Sequence, residues 1–326
     1  MTSNKLNHIV VLALSAFFLQ SCDNLSAQAV TPALNQTKNV SMLFDSPKAA
    51  REFNYCVWAF EHGGTDQTLP EFEPMLDRET STLSPDRWAA TALVDAGTRI
   101  ALHAKSQKSC AKTFKKGTKK FDKEMKKALK KHWSLAKYET SDDVAIAKVQ
   151  AALASHWVED QAARRVYIGS RTEDEFGAEH WTRRLASTRT SLADASSTHF
   201  MKTILEDYDW IDIKRFGDRV SMAAWLMVQH ADEHVELQRL TLSRMEPYLK
   251  TEGVSKKDYA FLWDRVAVNS GEKQRYGTQP TWECTPEGNL ILQPLEDPDN
   301  VNSRRADMGM NSVEEGLEGM AKSLCR

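Results

Sequence analysis

From Ser46 onward, apolar residues return at intervals of three and four, the spacing of helices that bury one face. In SPKAAREFNYCVWAFEH a Ser-Pro pair opens such a helix and Gly63-Gly64 closes it; after the Pro-containing loop TLPEFEPM, Ser84-Pro85 opens another. Within residues 105–137, Phe114, Phe121, Met125, Leu129 and Trp133 stand seven, four, four and four apart on one slowly drifting stripe, and Gly117 is placed to kink or break that helix. SDDVAIAKVQ carries a Ser/Asp cap for a helix ending near Gly169. Further helices are expected over residues 173–206, from about Asp218 to Leu249, and over KKDYAFLWDRVAVN, closed by Ser270-Gly271.

The period then changes. RYGTQPTWECTPEGNLILQPL offers two short extended runs around Pro-Glu-Gly-Asn, after which helices resume at Asp297-Pro298 and at Ser312, where S-V-E-E forms a capping box with Glu315. The pattern predicts a mainly α fold, a multi-helix domain with a small β-hairpin or ordered loop near residues 275–293.

Charge changes this picture in one place. Residues 105–137 hold thirteen Lys against Asp122 and Glu124, a local charge of +11, while the whole chain carries -2, which leaves -13 for the rest. A solvated helix that packs its stripe on the body explains the lysines; the alternative is a basic amphipathic helix lying on anionic phospholipid. Composition from about residue 141 turns acidic.

The N-terminus supplies a compartment. Lys5 precedes an eleven-residue apolar run, Ile9 to Leu19, too short to span a membrane and of signal-peptide dimensions. Leu19-Gln20-Ser21-Cys22 resembles a bacterial lipobox, in which cleavage before the cysteine leaves it lipid-modified. Cys22 is therefore the expected lipidation site, and Asp23 after it favours the periplasmic face of the inner membrane. The expected organisation is a signal peptide over 1–21, a flexible tether over 22–45, a helical region over 46–140 with the lysine-rich helix, and a helical domain over 141–326. Export makes nucleic acid a poor partner. It also places Cys56, Cys110, Cys284 and Cys325 in an oxidising compartment, where three pairings or four buried thiols are open and proximity favours Cys56 with Cys110 and Cys284 with Cys325.

Residues 230–234, HADEH, match H-x-x-E-H, the inverted zinc-protease signature. On a continuous helix His230 and His234 would lie about 40° apart and reach one ion, with Glu233 as general base and Glu314 or Glu315 as a possible third ligand. The expected use of this helix is different: no cofactor is predicted, and zinc is the minor alternative.

AAWLMVQHADEHVELQ, LWDRVAVNSGEKQRYGTQ and DNVNSRRADMGM, in that order, with EDQAAR upstream, resemble a bacterial domain family of unknown function marked by QHAD, DRV and YGTQ, over about residues 145–318. The resemblance carries no reaction. It singles out Gln229, His230, Asp232 and Gln238, leaves His234 incidental, and draws attention to Asp160, Gln161 and Arg164, to Asp264 and Arg265, and to Arg304 and Arg305. On a regular helix His230 and Gln238 would line one groove, and Asp232 would face another element, such as an Arg.

Gln274, Tyr276, Thr278 and Gln279 lie in a loop whose Gly271 and Gly277 permit unusual torsions. This loop either contacts a ligand or is a structural knot tying the hairpin to the QHAD helix. The first expectation is a lipid-anchored envelope protein with a polar cleft for a small molecule or peptide around His230 and the YGTQ loop. Its alternatives are a hydrolase using His230 as acid/base, or a zinc peptidase through HADEH.

Overall fold

The computed structural model describes residues 41–61 and 84–325. The signal peptide, Cys22, most of the tether and the TLPEFEPM loop lie outside the described residues.

Among the described residues the chain forms twelve α-helices: α1 Pro47–Glu52, α2 Tyr55–Glu61, α3 Pro85–Leu102, α4 Gln107–Leu135, α5 Val144–Gly169, α6 Ala178–Asp207, α7 Ile213–Phe216, α8 Asp218–Gln229, α9 Val235–Met245, α10 Lys256–Asn269, α11 Val301–Asp307 and α12 Val313–Leu324. Strands β1 Pro280–Cys284 and β2 Leu290–Leu292 pair antiparallel, with Pro280 opposite Leu292 and Cys284 opposite Leu290. The fold is mainly α, as the periodicity predicts. None of these helices is long and apolar enough to cross a membrane.

Two compact units divide the described residues: those within 1–135 and 158–195, and those within 136–157 and 196–326. The chain passes between units after residue 135, again after residue 157 and once more after residue 195. The return of 158–195 is what composition does not reveal. Its cause is apolar: Ala162, Ala163 and Val166 of α5 and Trp181, Leu185 and Ala186 of α6 belong to the same core as α3 and α4.

In the first unit, Ser46 caps α1 by accepting the Ala49 N–H at 3.2 Å, with Pro47 in the first turn. The single helix expected over this segment is instead two. Phe53 is extended, and Asn54 Oδ1 accepts the Val57 N–H at 3.1 Å to start α2. This turn buries Tyr55, whose hydroxyl donates to Ala50 O at 2.7 Å and whose ring stacks on Phe114. The Cys56–Cys110 disulfide fastens α2 to the start of α4. Helix α4 runs unbroken through Gly117, because this glycine serves a close approach rather than a kink. A Cβ there would meet Ala178 O at 2.6 Å, and the Gly117 carbonyl accepts the Thr182 hydroxyl at 3.0 Å. Phe121 and Met125 are buried and Phe114 and Leu129 pack against the same core, so the predicted stripe is the packed face as far as Leu129, while its last member, Trp133, has drifted out of the core and is exposed.

The second unit has its own core, in which Trp210, Phe216, Met245 and Leu262 are fully buried. Asp143 caps α5 through the Ala145 and Ile146 N–H groups, Ser255 caps α10, and Ser312 with Glu315 forms the predicted capping box on α12. The Cys284–Cys325 disulfide ties β1 to the end of α12.

Candidate functional site

The helix expected from Asp218 to Leu249 is interrupted, and the interruption falls on HADEH. Helix α8 ends at Gln229, residues 230–234 form a turn, α9 begins at Val235, and a 3-10 segment follows over Glu246–Thr251. A continuing helix would give the Val228 and Gln229 carbonyls to the N–H groups four residues on. Here Val228 O accepts the Ala231 N–H at 3.1 Å, and the Gln238 side chain takes the place of the i+4 donors, Nε2 donating to Val228 O at 3.1 Å and Gln229 O at 3.5 Å. The i, i+4 geometry that would bring His230 and His234 to one ion, and the helical groove shared by His230 and Gln238, both lapse with the helix. His234 instead has Nδ1 3.3 Å from Lys202 Nζ, and burial followed by the Lys202 charge lowers its pKa.

Asp232 meets an arginine, as expected. Arg265 donates from Nε to Oδ1 and from Nη2 to Oδ2, both at 2.8 Å, a two-pronged pair that fixes the turn against α10. Asn269, one helical turn beyond Arg265, donates to Asp232 Oδ1 and to Gln238 Oε1, each at 3.1 Å. Asn269 was not among the sequence candidates; its position four residues after Arg265 was the available signal.

Arg265 also reaches the YGTQ loop, donating from Nη1 to Gln279 Oε1 at 2.9 Å. There the second arm of the network begins. Asp264 is fully buried, and its two oxygens accept the N–H groups of Arg275 at 2.7 Å, Tyr276 at 2.9 Å and Thr278 at 2.8 Å, with the Thr278 hydroxyl at 2.9 Å. Burial pushes its pKa up, and these donors oppose the shift because they favour the carboxylate. Arg305, also buried, takes the loop's carbonyls: Nη1 donates to Tyr276 O at 2.7 Å and Gly277 O at 3.3 Å, and Nε to Asn311 O at 2.6 Å. Burial lowers its pKa, with Asp264 opposing. One anion thus holds the loop's N–H groups and one cation its C=O groups.

The remaining candidates close the same knot. Gln274, fully buried, accepts the Gln279 N–H at 2.9 Å and donates to Gln279 O at 3.0 Å and Gln293 O at 2.9 Å, joining loop to hairpin. Arg304 donates to Arg275 O at 2.9 Å and to Asp297. Gly277 has φ +65°, and a Cβ there would press on Val313 at 3.1 Å, so both torsion and space call for glycine. The backbone groups and side-chain amides of this loop are therefore consumed inside the protein, with the Thr278 hydroxyl. In the turn itself, His230 is half-buried and Asp232 is exposed. Beside them, Gln229 is buried with its Oε1 lacking a hydrogen-bond partner among the described residues.

Asp160, Gln161 and Arg164 belong to the other unit. Asp160 is buried, accepts from Arg164 Nε at 2.8 Å and from Gln161 Nε2 at 2.7 Å, and Arg164 extends to Asp194 at 2.5 Å. This is a part-buried two-carboxylate cluster around one cation, more than the simple helical pair that i, i+4 spacing suggests. Burial, then repulsion from Asp160, raises the Asp194 pKa against the pull of Arg164. Nothing in the small, polar letters around Asp194 marks it in the sequence.

A shallow cleft of about 390 Å³ in the second unit involves none of these motifs. Glu206, Asp207, Asp209, Tyr208 and Tyr248 line it with Arg215 and Arg244, and both arginines are already engaged, Arg215 by Asp212 and Arg244 by the Leu205 and Tyr208 carbonyls.

Residues 148–323 match a family described as one of unknown function (DUF6624), over more than half of the chain. No curated protein and no solved structure matches it.

Proposed function

The chain belongs to this family of unknown function (DUF6624), and from that premise we propose that it is an exported bacterial lipoprotein, held at the membrane by Cys22, whose family region binds a small amide-bearing or anionic ligand at the His230 turn. The observation that carries the export reading is the disulfide pair. Of five cysteines in the sequence, four are joined as Cys56–Cys110 and Cys284–Cys325, which leaves Cys22 with no cysteine of its own chain to pair with. Disulfides persist in oxidising compartments, and a remaining cysteine at a lipobox is the one the lipidation machinery needs. Asp23 favours the periplasmic face of the inner membrane.

The ligand reading is narrower than a cleft lined by the YGTQ loop, since that loop spends its polar groups on Asp264, Arg305 and Gln274. Its support is the polar turn at the edge of the network: half-buried His230, exposed Asp232 and, next to His230 in the chain, the buried Gln229 acceptor without a hydrogen-bond partner among the described residues. An amide or hydroxyl would supply that donor, and His230 offers an imidazole that can donate or accept a hydrogen bond.

Metabolic labelling with palmitate, followed by fractionation, tests the anchor. Label on the full chain that is lost in Cys22→Ala, with release from the membrane, is expected; an unlabelled, soluble wild type refutes it. For the ligand, thermal unfolding is measured against a panel of amino-acid amides, dicarboxylates and short peptides. A stabilising compound whose effect disappears in His230→Ala and Gln229→Leu is expected, and stabilisation that survives both substitutions moves binding elsewhere.

A further inference from the structure

Helix α4 carries its charge in an arrangement its packing does not require. Eleven of its residues are lysines, and among the described residues only Lys120 and Lys127 have acidic partners, Glu179 and Glu124. Lys112, Lys116, Lys119, Lys123, Lys126 and Lys130 follow one another at intervals of four, three, four, three and four, and all six are exposed. That spacing keeps them in a column about 27 Å long on the side opposite Phe121 and Met125. Like charges three and four apart destabilise a helix, so the column is maintained at a cost to α4 itself. Its positive field is felt locally: Lys127, Lys123 and Lys120 hold the Glu124 carboxyl below the usual range.

The column does not stand alone. Trp133 lies toward the same side at the C-terminal end of α4 and is 40% exposed, between Lys130, Lys131 and Lys137. A large aromatic amid lysines on an otherwise polar face has the chemistry of a membrane-interface residue. The apolar stripe is meanwhile used up by the core, so α4 has no face left with which to sink into a bilayer.

We propose that the lysine column of α4, with Trp133 at its end, docks the first unit flat on an anionic phospholipid surface. The contact is electrostatic and superficial, and it is a second attachment beside the lipid anchor. The proposal rests on the envelope-lipoprotein reading for its partner. It gains from geometry as well: the nineteen residue-to-residue steps from Cys22 to Ser41 can span at most about 70 Å. An anchored chain would therefore hold the column at high effective concentration next to the bilayer. Each lysine near an anionic surface adds a comparable increment, so the whole column is strongly dependent on salt and on lipid charge.

The full-length lipidated protein is bound to vesicles of phosphatidylcholine alone or with phosphatidylglycerol, and lysine acetylation by a water-soluble reagent is followed residue by residue. Flotation on phosphatidylcholine reports the anchor by itself; the difference in acetylation between the two vesicles reports the column by itself. Slowing of the six lysines by about tenfold on anionic vesicles at low salt, reversed at high salt, is expected. Quenching of Trp133 by bromolipids, measured as the difference from Trp133→Phe, should follow the same dependence. Charge reversal at four exposed positions, K116E/K119E/K123E/K126E, should abolish protection of Lys112 and Lys130, while the same four changed to Arg should keep it. Equal acetylation on both vesicles, or protection that survives the reversal, overturns the proposal. A protein that fails to float on phosphatidylcholine but still shows the difference when added to anionic vesicles overturns the anchor and leaves the column standing.

Discussion

The packed face of α4 and the knot around Asp264 are each held without slack, by opposite means. Helix α4 is fastened by apolar contact: Phe121 and Met125 are buried, and Gly117 lets the start of α6 approach as closely as a helix can. The YGTQ loop is fastened by hydrogen bonds, with a buried carboxylate taking its N–H groups and a buried guanidinium its carbonyls. The difference teaches how to read polar letters. On α4 the lysines stay in water and leave the fold indifferent to them, whereas Asp264, Gln274, Gln279 and Arg305 are polar because an irregular backbone had to be satisfied in the interior.

The contrast is most directly broken at Asp264. Asp264→Ala leaves three backbone N–H groups and the Thr278 hydroxyl without their acceptor, and a loss of roughly 3–5 kcal/mol is expected in denaturant titration. Asp264→Asn should not restore it, since the amide nitrogen points a donor at donors. A loss below about 1 kcal/mol would mean that the loop is held by something else.

A smaller effect is expected at Gly117. Ala is favoured over Gly in a helix by about 1 kcal/mol, but the new Cβ would stand 2.6 Å from the Ala178 carbonyl. Steric strain should win, with a net loss of about 1–3 kcal/mol for Gly117→Ala by the same titration. Lys119→Gln, on the opposite face, should change stability by no more than about 0.5 kcal/mol. A stabilised Gly117→Ala would show that the helices part freely.

The smallest effect concerns pH. Burial pushes Asp258, in the first turn of α10, from 3.8 up to about 6. A carboxyl raised on folding binds its proton more tightly in the native state, so it contributes stability at low pH that is lost as pH rises from about 4 to about 6. Asp258→Asn removes the loss. It should be more stable than wild type by about 1–2 kcal/mol above pH 7, with the gap closing toward about pH 4. A gap independent of pH would assign the effect to something other than ionisation.

Much of this was legible beforehand where the cause is local. Ser46, Ser84 and Ser312 cap the helices their spacing predicts, and the stripe of α4 from Phe114 to Leu129 is the packed face. Proximity named both disulfides. The motif residues were legible as a set, and Asp232 does meet an arginine, yet their work was read less well. HADEH has the letters of a helix, and periodicity has no means of showing that Gln238 would take the carbonyls that helix needed. Whether Gln274 and Thr278 face a ligand or the interior is equally invisible, because the same donors and acceptors serve either purpose.

By itself, then, the sequence determined the mainly α class, the caps, the amphipathic faces and the cysteines within reach of one another, all matters of neighbours along the chain. Only the tertiary structure decided that residues 158–195 join the first unit, that α8 stops at Gln229, and that Asp264 and Arg305 close on one loop. Each of these depends on groups far apart in sequence competing for the same partner, and burial settles that competition once the chain has folded.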